Sequence, residues 1–489
     1  MRDFSKQNLF PPLTAAYLLV PNLIFLLWWV RPAIGLPVAA GLVTAYVFFV
    51  RQARDWQPQN PVTGKNLVLV LVAALVFTVM TGIGGFLPQT LDYIKHNLLY
   101  HDLVHEHWPV SYATEQDGAK YLCYGLGYYL VPALAGRWLG DGWMPVLTFL
   151  WGLGGVTLAF YWFATLGKNA RIALCFFFAF SVTGVLLYPL KQLGIPGYLP
   201  AHDLRDLLSV TGLYHSYHDN FSKIYYQPQH GLTAWLGTAL LFEWLWLRKD
   251  ARPGMFLWSL CVFWSPLTSL GLLLIPLAAI KKTGVGHYFT PINFASGLLL
   301  AVLAIYFQGH VPLTQKGFIF QMAPPGECLI LYLSFLLLEL NVLFVLLLLD
   351  WKYQMLRGFR PLFYVMAAAL ILMPLIKVGA CADLRLQAGT PAILIIAMAA
   401  WLCFQHAQFK WKSPLGLLLV VCFALGAVYP MCRPLVMRVV EKKIDYAYPA
   451  LVKERGLTRL SDYRQESGVD AASQYFGQSN SVAARFLLR

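Results

Sequence analysis

Runs of apolar residues long enough to cross a bilayer as α-helices, roughly 17–25 residues at ~1.5 Å each, alternate with short polar stretches along almost the whole chain. Leu13–Val30 and Ile34–Val50 read as a hairpin, Leu67–Phe86 as a third crossing, and Trp143–Leu166, Ile172–Leu190 and Leu232–Leu247 as the next three. Phe289–Phe307, Cys328–Leu349, Phe363–Leu375, Pro391–Phe404 and Leu415–Tyr429 complete the series. The run Met255–Ile280 carries Pro266 in its middle and basic residues at both ends, which predicts a re-entrant hairpin with each half too short to span alone. Tyr121–Leu139 is also apolar, but as a crossing it would put Lys168 and Arg171 on the wrong side, so it reads as an interfacial helix. The expectation is an all-α polytopic transmembrane helical bundle of about eleven spans plus a re-entrant hairpin, with interfacial helices in large outer loops. Arg2 and Lys6 precede an apolar stretch too long for a signal-peptide core, so the first run reads as a retained span. No internal repeat or low-complexity segment is evident.

Composition removes the soluble alternatives. Of 489 residues, 58% are hydrophobic and 12% charged, against about 25% charged in soluble domains. A cytosolic enzyme, a disordered chain and a nucleic-acid-binding module are excluded as main readings. The formal charge of +14 is a marker of sidedness: Arg51, Arg54 and Lys65, then Lys168 and Arg171, Arg248, Lys249 and Arg252, Lys281 and Lys282, Lys352, Arg357 and Arg360, and Lys410 and Lys412 all fall in loops on one side. That side is the cytoplasmic one, and no nucleic-acid partner follows from the charge. The eight cysteines lack CxxC pairs, and several sit inside apolar runs, as small core residues do. Residues 1–432 form one transmembrane module. The tail 433–489 lies outside the membrane, with a helix or two capping the bundle.

The chemistry is expected in the outer loops 89–141, 191–231, 308–326 and 379–389, because ionisable residues at a membrane face are costly unless solvated, paired or used. In the first loop Thr90 is placed to cap a helix whose apolar face is Leu91, Ile94 and Leu98, with Asp92, Lys95 and His96 at i, i+3 and i+4 on another face. Such a helix is equally explained as an amphipathic interfacial one with solvated charges. Asp102 and Glu106 follow as reserve carboxylates. In the second loop His215, His218 and Asp219 lack the spacing of a strong metal motif and read as a wet aromatic contact loop. Gln229 and His230, directly before a span, suit head-group contacts or helix-end hydrogen bonds. In the third, Arg385 in a short turn suits bidentate phosphate binding or an ion pair with Asp383.

These residues carry a resemblance. Asp92-Tyr-Ile-Lys-His-Asn with Asp102-Leu and Trp108-Pro-Val, the Pro228-Gln-His element, and Asp383-Leu-Arg before Pro391 look like a group of bacterial polytopic membrane proteins whose layout is similar to the GT-C glycosyltransferases. The chain departs from that layout in the extra hairpin Leu13–Val50. The resemblance implies an inner-membrane enzyme that moves a sugar, with inversion, from a polyprenyl (undecaprenyl) phosphate donor to an envelope glycan, lipid or protein acceptor at the periplasmic face. It implies Asp92 as general base, with Lys95, His96, Asp102, Glu106, His230, Asp383 and Arg385 binding substrate. One base suffices because phosphate is already a good leaving group, unlike the two carboxyl groups of glycoside hydrolysis. No cofactor is required; a metal ion is possible, but cationic side chains serve the same end. The competing reading is a polytopic transporter or flippase of a lipid-linked or small solute, which would favour internal pseudo-symmetry and broken helices.

Overall fold

The computed structural model describes residues 6–90, 92–112, 119–167, 169–178, 217, 219–311, 316–322, 324–379, 382–405, 448–467 and 474–489. They are mostly helical and membrane-embedded in character. Among the described residues six helices are long and apolar enough to cross a membrane: Phe10–Trp28 (α1), Pro32–Ala53 (α2), Asp141–Ala164, Pro266–Thr283, Pro291–Gln308 and Asp383–Gln405; a bent pair, Cys328–Leu337 with Asn341–Tyr353, makes a seventh if it is one span. Gly64–Met80 (α3) is apolar but shorter. Two expected spans, Ile172–Leu190 and Leu415–Tyr429, lie partly or wholly outside the described residues, as do Lys168, Lys410 and Lys412.

The remaining helices in chain order are Asp92–His105 (α4), Leu130–Leu139 (α5), Met144–Ala164 (α6), Ala170–Phe178 (α7), Asn220–Tyr226 (α8), Pro228–Phe242 (α9) and Gly254–Val262 (α10). Pro266–Thr283 is α11, Pro291–Gln308 α12, Pro325–Glu339 α13, Asn341–Tyr353 α14 and Arg360–Leu372 α15. Asp383–Ala388 (α16) runs on into Thr390–Gln405 (α17), and Tyr448–Arg455 (α18) and Leu460–Ser467 (α19) belong to the tail. Pro opens α2, α6, α9, α11 and α12 at their first turns, where its missing N–H costs nothing. Helix α9 is the axis of the bundle: nearly all its residues are buried, and it packs on α6, α11 and α17.

The bundle has two chemically distinct ends. At one end Asn8 donates to the Arg54 carbonyl, Asn60 to that of Thr165 and Gln405 to that of Leu166, while the Trp56 indole donates to Glu243 at 2.8 Å. Lys282 stands over Trp246 and Arg248 over Trp244, and Phe359, beside Arg360, meets Phe242 at the foot of α9. The described basic loops at Arg54, Arg248, Lys282 and Arg360, which the charge pattern groups on one side, are thus brought to one end. The opposite end carries the polar segments and two small sheets. Strands Ser111–Tyr112 (β1), Lys120–Leu122 (β2) and Phe476–Gln478 (β5) form an antiparallel sheet in the order β1-β2-β5, with Leu122 opposite Phe476. Strands Lys316–Phe318 (β3) and Ile376–Val378 (β4) form a separate antiparallel pair, Gly317 opposite Lys377.

Several expectations are corrected. The run Met255–Ile280 does break before Pro266, at Phe263–Ser265, but α11 is 18 residues long and able to cross, so only α10, with nine, is too short. Tyr121–Leu139 is not one interfacial helix: it begins as strand, passes through an irregular Tyr124–Tyr128 segment, and becomes helical only at Leu130. Glycine explains this. The Trp264 ring lies where a Cβ on Gly127 would stand, 2.4 Å away, so the irregular segment is laid directly on the α10–α11 break. Cys328–Leu349 is not one straight span, since α13 and α14 meet at 65°. Among the described cysteines Cys175 is exposed, whereas Cys123, Cys261, Cys328 and Cys403 are buried. The tail supplies a strand as well as its two helices.

Candidate functional site

The polar end gathers residues from three separate segments. Helix α4 runs along this end with Ile94 and Leu98 buried beneath it. Thr90 does not cap it: its hydroxyl is buried with no hydrogen-bond partner among the described residues, and its carbonyl accepts from Tyr93 N–H instead. On the exposed side Lys95 Nζ pairs with Asp92 Oδ1 at 2.7 Å, one helical turn apart, and the Asp92 side chain keeps 29% exposure, so it remains reachable. Burial alone would lower Lys95, but the Asp92 carboxylate outweighs it and holds the amine above the ordinary lysine range.

His96 is turned inward. Its Nε2–H donates to the Tyr226 carbonyl at 3.0 Å, which fixes Nδ1 as acceptor from the Tyr129 hydroxyl at 2.7 Å. Burial pushes it down to about 4 against the Tyr226 hydrogen bond, so it is a neutral ring that ties α4 to α8 and α5, and not a cation for phosphate. A histidine that resists protonation only when folded destabilises its surroundings in acid. Helix α4 is expected to lose roughly 3 kcal/mol of local stability as pH falls from about 6.5 to 4. Amide exchange of α4 measured across that range should accelerate in the native protein and much less in His96→Gln.

Helices α8 and α9 bring the second segment. Asp219 caps α8, accepting from Ser222 N–H at 2.8 Å. Lys223, fully buried, donates from Nζ to Gln227 Oε1 at 3.1 Å. At the start of α9, His230 Nδ1 faces Ser265 Oγ at 2.7 Å, and its Nε2 faces the Tyr124 hydroxyl and the Gln229 amide nitrogen at 3.3 Å each. The amide can only donate, so Nε2 accepts and Nδ1–H donates to Ser265. Ser265 in turn caps α11. The irregular Tyr124–Tyr128 segment, the α10–α11 break and α9 therefore meet at this ring.

The third segment contributes Asp383. Gly379 has φ of +82°, and a Cβ there would lie 1.9 Å from Asp383 Oδ2, so only glycine leaves room for the carboxylate. Ala382, directly before it, is held left-handed at φ 54°, a strained conformation for a residue with a Cβ and of the kind that collects at functional sites. The charges of Asp383 and Asp92 both act on Lys223, and that of Asp383 on Tyr124. From the tail, the Tyr475 ring packs on Tyr124 with centroids 4.4 Å apart.

No protein-family model, curated protein or solved structure matches this chain.

The structure brings Asp92, Lys95, His96, His230 and Asp383 into one neighbourhood. It leaves three expected members elsewhere. Asp383-Leu-Arg385 is helical and not an open turn, so positions i and i+2 point apart: Arg385 is buried, stands 4.8 Å over Phe335 and 5.8 Å over Tyr217, and forms no ion pair with Asp383. Asp102 lies about 15 Å further along α4 than Asp92; fully buried, its Oδ2 accepts from the Tyr112 hydroxyl at 2.8 Å and from Leu460 N–H at 3.0 Å. Glu106, beyond it, pairs with Arg459 at 3.1 Å. Both acids fasten the tail. His215 and His218 lie outside the described residues, and among the described residues no three His, Cys, Asp or Glu side chains are grouped to hold a metal ion. Sequence reasoning missed Lys223, Tyr124 and Tyr129. For Lys223 a signal was present: a lone lysine four positions before Gln227, within an aromatic stretch just ahead of a span.

Proposed function

We propose that the chain is an integral membrane glycosyltransferase of GT-C type, with about eleven spans, that transfers a sugar from a polyprenyl phosphate donor to an envelope acceptor at the periplasmic face of a bacterial inner membrane. The observation that carries this reading is the convergence of two carboxylates, Asp92 and Asp383, with two lysines, Lys95 and Lys223, at the end of an apolar bundle opposite its basic loops. Asp92 is the base: its carboxylate is accessible and is held by Lys95 on Oδ1. As the acceptor oxygen attacks the anomeric carbon, its proton passes to Asp92 while the bond from that carbon to the phosphate oxygen breaks and its electrons leave with the phosphate. The cations of the cluster offset the charge that gathers on the leaving phosphate. His96 positions α4, and His230 orders the Tyr124 and Gln229 side chains around the same space.

The test is donor consumption. Purified protein in lipid nanodiscs, given polyprenyl-phosphate-linked hexoses or pentoses and a periplasmic glycan extract, is expected to release free polyprenyl phosphate. If no polyprenyl-phosphate sugar is consumed under any acceptor condition, the reading fails. The carrier alternative draws on one observation, the α10–α11 break whose tip reaches His230 through Ser265. A carrier would move the donor across the bilayer intact, which the same assay distinguishes.

A further inference from the structure

Lys223 has an unusual setting for a cation. It sits on a seven-residue helix, fully buried, with a neutral amide as its hydrogen-bond partner, and among the described residues no carboxylate comes within ion-pairing distance. An ammonium placed like this keeps its proton poorly, because burial strips its hydration without supplying a contact charge. Burial brings Lys223 down to about 7, and the carboxylates of Asp383 and Asp92 only limit the fall. The charged and titratable groups that act on Lys223 or on one another around it are Asp92, Lys95 and His96 on α4, His230 on α9, Asp383 on α16, Tyr124, and Tyr475 of the tail. Lys95 is committed to Asp92, both nitrogens of His96 are engaged, and Arg385 stands over Phe335. Lys223 is the cation of this group whose charge state an incoming anion can change.

We propose that Lys223 is the phosphate-binding cation of the site and that the anion recharges it, so that a phosphoryl group enters together with one proton from solvent. The amine takes up that proton and the ammonium then pairs with a phosphate oxygen; no bond to phosphorus forms or breaks. The inference rests on the proposed donor class and adds which residue holds its phosphate and at what cost in protons.

The test is calorimetric titration at pH 8 in two buffers of different ionisation heat, HEPES and Tris, on the full chain in nanodiscs. The probes are a polyprenyl-phosphate hexose and a soluble methyl hexosyl phosphate, both diesters that do not themselves titrate near neutrality. The native protein is expected to take up about 0.9 proton per diester at pH 8 and about 0.1 at pH 6. Affinity should weaken toward tenfold per pH unit above about 7. Lys223→Arg, permanently charged, should bind with little uptake and a flat pH dependence, and Lys223→Met should bind at least tenfold more weakly. Binding by the native protein without proton uptake overturns the proposal, as does unchanged uptake in Lys223→Met, since another group then carries the proton. If Lys223→Met binds as tightly as the native protein, the donor reading stands and this inference alone falls. Binding of the soluble diester alone keeps the anion site but removes the lipid source. If neither diester binds, both readings fail.

Discussion

Asp92→Asn is expected to lower sugar transfer by roughly 10²–10⁴-fold, the range that a positioned general base supplies. Asparagine keeps the size of the side chain and can still take a hydrogen bond from Lys95 at its amide oxygen, so α4 should stay in place; what is lost is the ability to accept the acceptor's proton. The loss should appear in kcat with donor binding nearly intact, because the anion is held elsewhere in the site. Asp92→Glu should recover part of the rate, since the longer carboxylate stays within reach of the same space. Initial rates of polyprenyl phosphate release for the three proteins check this. Equal rates in the native protein and Asp92→Asn would move the base to another residue.

Asp102→Ala should have the largest effect on stability while leaving Asp92, Lys95, Lys223 and Asp383 in place. The carboxylate is fully buried and accepts from both the Tyr112 hydroxyl and Leu460 N–H. Truncation leaves two buried donors without an acceptor, at about 1–3 kcal/mol each. The cost falls where α4, β1 and α19 meet, so the tail loosens before the bundle does. Limited proteolysis should cut within 448–489 much faster in the variant, while the transmembrane part stays resistant. Because Tyr475 of the tail packs on Tyr124, transfer should fall as well. Uniform destabilisation of the bundle with no preferential tail cleavage would contradict this role.

Legibility in the sequence followed the physics of each element. Helices α1, α2 and α6 begin and end within a few residues of their apolar runs, because nothing but hydropathy and flanking Pro or Arg decides them. The Asp92–Lys95 pair was legible because an i, i+3 contact is local to one helix. Arg385 was misplaced because a one-residue difference between turn and helix reverses which side chains share a face. Asp102 was misplaced because its partner Leu460 is 358 positions away, and no local pattern encodes that contact. The straightness of Cys328–Leu349 and the continuity of Tyr121–Leu139 failed for a related reason: hydropathy measures burial, and a strand, a bend or a glycine-rich loop against Trp264 can be buried just as well as a helix.

The strand Phe476–Gln478 is made after every helix of the bundle, yet it completes a sheet begun at Ser111–Tyr112. A ribosome-bound chain therefore has its helical part in the membrane while Tyr124 still lacks Tyr475. Pairings across such separations form late and slowly. Biosynthesis itself thus sets an order in which the apolar scaffold is seated first and the polar end, with the Tyr124–Tyr475 contact, is finished last.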